Sequence, residues 1–155
     1  MILKIISSIF LLIVLSNCGF KPVDQSYFKN YNFIETNISG DKRIVYLLQN
    51  KFNKENKNAT KSIKIDINTT KEKKIREKNI QNEITKYEIL LSATVNFYML
   101  ENNTKQEFKV FSNGDFNVNA RHSETLNNEK KLIKNLVNNI SDQIIRNLKI
   151  KLDEL

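Results

Sequence analysis

The chain of 155 residues holds one cysteine, one proline, one histidine, three glycines and no tryptophan. Each scarcity closes off a chemistry. A lone Cys18 permits no disulfide framework within the chain. A lone His122 excludes histidine-based metal clusters and paired-histidine relays. It stands just before the last helical pattern and reads as a surface residue. The few glycines leave no glycine-rich phosphate loop and too few tight turns for a many-stranded sandwich. No serine sits in a G-x-S-x-G elbow. Glu72, Glu77, Glu83 and Glu88 are scattered among lysines rather than paired in the apolar surroundings that raise a carboxyl pKa. The expectation is a non-enzyme with no catalytic residue, no metal and no cofactor.

A long hydrophobic run is also missing. Ile5–Leu15, broken by Ser7 and Ser8, rises about 16 Å as a helix. That is about half of a ~30 Å hydrocarbon core, so it suits a secretory h-region better than a permanent span. Lys4 supplies a small positive n-region. The run ends in Leu15-Ser16-Asn17-Cys18-Gly19-Phe20-Lys21-Pro22, with the only cysteine and the only proline of the chain. A Leu three positions before a Cys resembles the lipobox of bacterial lipoproteins. Asn17 stands where that pattern usually has Gly, Ala or Ser. The resemblance implies cleavage before Cys18 and acylation of its thiol, which accounts for the single cysteine. Acylation with several chains anchors a protein far more firmly than one chain, since each buried CH₂ contributes ~0.8 kcal/mol. Gly19 in the second mature position, rather than Asp, implies outer-membrane sorting. The segmentation expected is a signal peptide at 1–17, a lipidated tether at 18–30 and a folded domain at 31–155.

Removing 1–17, whose only charge is Lys4, takes the formal net charge from +8 to +7. A basic surface suits anionic partners. Lys, Asn and Ile are heavily used throughout, so part of the basicity is compositional. An exported protein has little occasion to meet nucleic acid, which leaves phosphorylated lipid as the better partner.

Tyr31–Ile38 reads as a strand, with Tyr31 and Phe33 on one parity and Ile34, Thr36 and Ile38 on the other. Ser39-Gly40-Asp41 breaks it and offers an N-cap. A helix is expected over Lys42–Asn53, with Ile44, Val45, Leu48 and Phe52 on one face, followed by a polar loop to Lys61. Ser62–Thr70 alternates strictly, with Ile63, Ile65 and Ile67 inward. The unit is βαβ, which requires parallel strands and a right-handed crossover. Lys71–Asn82 is charged on every side and reads as an extended hairpin tip or a long loop. Ile84–Leu100 is the clearest strand, with Tyr87, Ile89, Leu91, Ala93, Val95, Phe97 and Met99 on odd positions. It turns at 101–105 into Gln106–Val118, where Gly114 is a candidate bulge. A last helix begins near Ser123, capped by Ser123 or Asn119. Leu126, Ile133, Leu136, Val137, Ile140, Ile144 and Leu148 make its apolar stripe, with Ile145 and Leu152 at the edges. A stripe this long packs on a sheet, the alternative being a membrane-surface helix. The order β-α-β-β-β-α gives an α+β fold: a two-layer α/β sandwich, a four-stranded mixed sheet with two helices on one face. The other sheet face, with Leu90 and Tyr98, is left for docking against a protein.

Taken together, the Cys18-Gly19-Phe20 junction with Pro22 soon after, the strand and helix at Phe33–Ile38 and Ile44–Phe52, the strand opening Tyr87–Ala93 and the terminal Ile140-Ser141-Asp142-Gln143-Ile144 resemble the LPS-assembly lipoprotein LptE family. The last helix departs from the family pattern, being rich in Lys and Asn where relatives tend to carry Ala. The resemblance implies an outer-membrane lipoprotein on the periplasmic side that helps the β-barrel LptD assemble, plugs it, and contacts lipopolysaccharide on its way to the cell surface. Contact with lipid A phosphates needs cations, and Lys73, Lys74, Arg76 and Lys78 are the candidates, the alternative being a solvated loop. A stand-alone envelope lipoprotein binding anionic lipid without a barrel partner is the competing expectation.

Overall fold

The computed structural model describes residues 31–52, 59–101 and 103–154. The segments expected as signal peptide (1–17) and lipidated tether (18–30), Cys18 among them, and most of the polar loop after Phe52 lie outside the described residues. The order is β1 (Tyr31–Ser39), α1 (Lys42–Phe52), β2 (Lys61–Lys78), β3 (Ile84–Met99), β4 (Thr104–Asn117) and α2 (His122–Asp153). The strands lie in the order β1-β2-β3-β4. β1 is parallel to β2, and the other two pairs are antiparallel. This is the expected β-α-β-β-β-α two-layer arrangement, an α+β fold with a mixed sheet.

Period two decides which sheet face is buried. Ile63, Ile65 and Ile67 of β2, every odd residue of β3 from Ile89 to Met99, and Val110 and Phe116 of β4 point to one side and are buried. Ile44, Leu48 and Phe52 of α1 and the stripe Ile133–Leu152 of α2 close over them in one cluster. Each such Ile, Leu or Phe taken fully from water contributes ~1.5–3 kcal/mol.

Four local features depart from expectation. The first is β1, where apolar residues sit on both parities. A register shift between Phe33 and Glu35 places an extra residue at Ile34. Phe33 and Ile38 therefore both pack on the core, while Ile34 is 46 % exposed. The second is Gly114, which is not a bulge: it pairs with Ile89 in unbroken register. A Cβ there would lie 2.8 Å from Leu132 Cδ1, so its smallness lets α2 come close. The third is the start of α2, which is capped by neither Ser123 nor Asn119. Arg121 occupies the N-cap position with extended backbone and no side-chain cap bond. Thr125 reaches back instead, its Oγ1 accepting the Asn119 N–H at 2.8 Å. The fourth is Leu126, 41 % exposed, because the buried stripe begins only at Ile133.

The turn into α1 follows expectation. Asp41 Oδ1 accepts the N–H groups of Arg43 at 3.0 Å and Ile44 at 3.4 Å. Gly40 before it has φ +126°, and a Cβ there would overlap Thr69. Thr69, buried at the close of the β1–β2 pairing, donates its hydroxyl to the Ser39 carbonyl at 2.8 Å.

Candidate functional site

The charged stretch after Thr70 is strand, not loop. β2 runs on to Lys78, and Lys71 to Ile75 pair in register with Leu91 to Tyr87 of β3. Residues with no apolar face hold this shape because β3 is long enough to supply a hydrogen-bonding partner. Only the tip, Asn79–Glu83, is a turn. There Asn79 Oδ1 accepts the N–H groups of Gln81 at 3.0 Å and Glu83 at 2.9 Å, and Asn82 takes φ +64°.

Being strand splits the four candidate cations. Lys73 follows the odd parity of Ile63–Thr69 and faces the helices. Its ammonium lies 4.4 Å from the ring centroid of Tyr87 and 4.9 Å from that of Phe116. The two rings stack at 5.7 Å. Glu129 of α2 accepts from the same ammonium at 2.9 Å. Lys73 thus ties the outer reach of the sheet to α2. Lys74 and Arg76 lie on the opposite face. Lys74 pairs with Glu72 at 3.1 Å, and Arg76 lies 4.0 Å from Glu88 and 3.9 Å from Asp115. A register shift past Ile75 then brings Glu77 onto this same face, where it takes Lys86 at 2.8 Å. Lys78, at the end, donates to Asn82 Oδ1 at 2.9 Å. The structure therefore brings Lys74 and Arg76 onto one surface, and Lys73 to neither of them.

That uncovered surface can be read row by row from the strand register. Glu35, Lys64, Tyr98 and Lys105 form one row, then Asn37, Asp66, Asn96 and Glu107, then Ser39, Asn68, Thr94 and Lys109. Beyond the end of β1 lie Thr70, Ser92 and Phe111, then Glu72, Leu90 and Asn113, then Lys74, Glu88 and Asp115. Opposite charges and amides satisfy each other across strands. Lys64 meets Glu35 at 3.0 Å, Asn37 donates to Asp66 at 2.9 Å, Asn113 donates to Glu88 at 3.0 Å, and the Thr70 and Ser92 hydroxyls bond at 2.7 Å. Phe111, 66 % exposed, and Leu90, 36 % exposed, sit in adjacent rows as an apolar island. Leu90 is expected from the sequence. Phe111 is not, although its odd position in β4 marks it as facing away from Val110 and Phe116.

Charge is divided unequally between the layers. The uncovered sheet face is nearly balanced, with Lys64, Lys74, Arg76, Lys86, Lys105 and Lys109 against Glu35, Asp66, Glu72, Glu77, Glu88, Glu107 and Asp115. The helices carry the excess: α1 has three cations and no acid, α2 six cations and four acids. Hydrogen bonding from Lys86, then its attraction, holds the Glu77 carboxyl below the ordinary range, and the same bond raises Lys86. The bond from Lys71 at 2.8 Å lowers the Asp41 carboxyl.

The open strand edge of β4 is partly sealed by α2. Gln143 donates to the Phe111 carbonyl at 3.0 Å, and Asn128 to that of Asn117 at 3.4 Å. An open cleft of about 450 Å³ lies where the sheet meets the start of α2, lined by Glu77, Thr85, Lys86, Asn117, Asn119 and Glu124. Its mixed charge and openness give it no enclosed reaction site. Among the described residues no group of His, Cys, Asp and Glu could hold a metal ion, and no helix is long and apolar enough to cross a membrane.

No protein-family model matches the chain, and no curated protein matches it. Solved structures do. Rare lipoprotein B from Shewanella oneidensis is similar at TM-score 0.64 and 14% identity, over 81% of this chain and 98% of that one. A candidate lipoprotein from Caulobacter crescentus CB15 gives TM-score 0.57 at 11% identity, over 83% of this chain and 94% of its own. Lipoprotein B from Nitrosomonas europaea gives 0.52 at 17%, over 87% and 93%. At these identities the likeness is one of fold.

Proposed function

We propose that the chain is a lipid-anchored envelope protein, held by acylated Cys18 to the periplasmic side of the outer membrane, which seats in the β-barrel LptD, assists its assembly and contacts lipopolysaccharide in transit. The observation that carries the reading is a coincidence of two independent features. The chain has a Leu-Ser-Asn-Cys junction ahead of its first strand, and the fold behind that junction is shared nearly end to end with rare lipoprotein B.

The physics of the fold suits the task. A plug must keep its shape, and the two helices and one sheet face enclose a continuous apolar core. The uncovered sheet face is polar, almost neutral and internally hydrogen-bonded. Its charges are mostly paired within the face, and against a wet barrel wall Lys105, Glu107 and Lys109 keep their water; burying an unpaired charge would cost several kcal/mol per ion. Leu90 and Phe111 supply the apolar anchor such an interface needs.

Contact with lipid A phosphates falls in this reading to Lys74, Arg76 and Lys78. Glu72 and Asn82 are exposed and Glu88 is half-buried, the pairs are worth ~0–1 kcal/mol each, and a phosphate can displace them. Lys73 belongs to the scaffold, being committed to Glu129 and two rings. Gentle solubilisation of membranes tests the proposal. The chain is expected to elute with a large β-barrel. Recovery as a monomer, with the barrel running free, would favour the stand-alone lipid-binding lipoprotein. Separately, reversal of Lys74, Arg76 and Lys78 to Glu is expected to weaken lipopolysaccharide binding, and unchanged binding removes those residues from the site.

A further inference from the structure

The two ends of the molecule treat their cations differently. At the hairpin end they are engaged: Lys78 with Asn82 at 2.9 Å, Lys86 with Glu77 at 2.8 Å, Arg121 with Glu124 at 3.7 Å. The other end of the sheet is defined by Tyr31 beside Lys61 and by Met99 beside Thr104, with Leu100 and Lys105 adjoining. Both helices finish on this side. α1 leads from the end of β1 back toward the start of β2, and α2 runs against β4, with Leu132 at Gly114 and Gln143 at Phe111. Here Lys51, Lys105 and Lys151 have no acidic partner among the described residues, and Lys61 lies over the Tyr31 ring at 5.5 Å. Two large apolar side chains are exposed on the same side, Leu100 at 45% and Ile150 at 55%.

We infer that this end is a membrane-contacting surface that takes the headgroups of anionic phospholipid. Lys51, Lys61, Lys105 and Lys151 meet the phosphates, and Leu100 and Ile150 dip into the interface. The place where the chain enters the fold identifies the occupant. β1 begins at Tyr31, at this end, so the segment bearing Cys18 joins the domain here. The inference rests on the reading of Cys18 as acylated. Glu101, Asp153 and Glu154 share this end, yet Lys51, Lys105 and Lys151 pair with none of them; lysines beside exposed aliphatic side chains are the pairing that an anionic bilayer surface binds, additively per cation and weakly at high salt. Two copies meeting at this end would set like charges against each other.

The chain has no tryptophan, so one placed by substitution reports its own surroundings. Ile150→Trp and, at the far end, Ile80→Trp, which replaces a 98% exposed residue, are compared in the full acylated chain. The probes are vesicles of phosphatidylcholine with and without phosphatidylglycerol. The expected result is a blue-shifted emission from the Ile150→Trp variant on the anionic vesicles only. The shift is lost when Lys51, Lys61, Lys105 and Lys151 become Gln with circular dichroism unchanged, while the Ile80→Trp variant stays water-like throughout. Equal water-like emission from both variants overturns the inference, as does an Ile150→Trp shift that is the same on neutral and anionic vesicles. Flotation of the chain with neutral vesicles reads the anchor independently. If it does not float, the Cys18 reading fails, and emission of the Ile150→Trp variant on added anionic vesicles still decides whether this end binds headgroups.

Discussion

The two halves of β2 form one strand for two different reasons. From Ile63 to Thr69 every odd residue is buried, β1 lies on one side and β3 on the other, and α1 and α2 cover the face. From Thr70 to Lys78 every residue is exposed and β1 has ended, yet pairing with β3 continues. The first half is strand because its side chains must be buried. The second is strand because its neighbour is, and a backbone beside an unpaired strand gains by completing the ladder. The inner half holds the fold up, and the outer half is a rack of charges whose spacing is set by the sheet.

Mutations that test this difference are graded in size. Phe97→Ala removes a fully buried ring opposite Ile65 and is expected to cost ~3–5 kcal/mol in denaturant unfolding. A cost below ~1 kcal/mol would mean the inner half is not the core. Gly114→Val pushes against Leu132 where α2 crosses β4, and a loss of ~1–3 kcal/mol is expected. Lys73→Gln keeps the strand but gives up Glu129 and the two rings, for ~0.5–2 kcal/mol. That is the most any charge of the outer half should cost. Lys74→Gln, on the uncovered face, should stay within ~0.5 kcal/mol. Hydrogen exchange sharpens the comparison without mutation: amides of Ile63–Thr69 should exchange only with global opening, and those of Glu72–Lys78 that face the open edge much sooner.

The junction between the halves has a pH signature. The Asp41 carboxyl is lowered by its bond from Lys71. A depressed carboxyl contributes stability that is present above the unfolded pKa of ~3.9 and lost as pH falls through the lower folded value. Asn can still cap α1 but cannot pair with Lys71, so Asp41→Asn should be less stable than the native chain near neutral pH. The two melting curves should converge below about pH 4. A gap that stayed constant down to acid pH would show that the loss in Asp41→Asn does not come from the carboxylate charge.

What can be read in the residues divides along the same line. Alternation over Ile63–Ile67 and Tyr87–Met99, and the stripe from Ile133 to Leu152, are local patterns with one period each, and they yield the element order and the layers. The outer half of β2 has no period to read, because its conformation is imposed through the register by residues as distant as Ser92, the partner of Thr70. The split of Lys73 from Lys74 and Arg76 arises in the same way and is equally hidden. Phe33 and Ile38 on opposite parities show that β1 has both faces apolar, but only the pairing with β2 reveals the extra residue at Ile34. Gly114 stands out in the sequence while its role does not. A glycine in a strand can serve a bulge or a close approach, and only the position of Leu132 separates them. Phe111 is legible by parity alone.

Cys18 carries the most weight, because in the proposed reading its acylation joins the folded domain to a membrane and brings the lysines at the Tyr31 end to a lipid surface. Intact-mass measurement of the protein taken from its native membranes tests that link directly. The predicted result is a chain beginning at Cys18 and heavier than its residues by the mass of attached acyl groups. A chain that retains Met1, or that begins at Cys18 with a free thiol and no lipid, would contradict it.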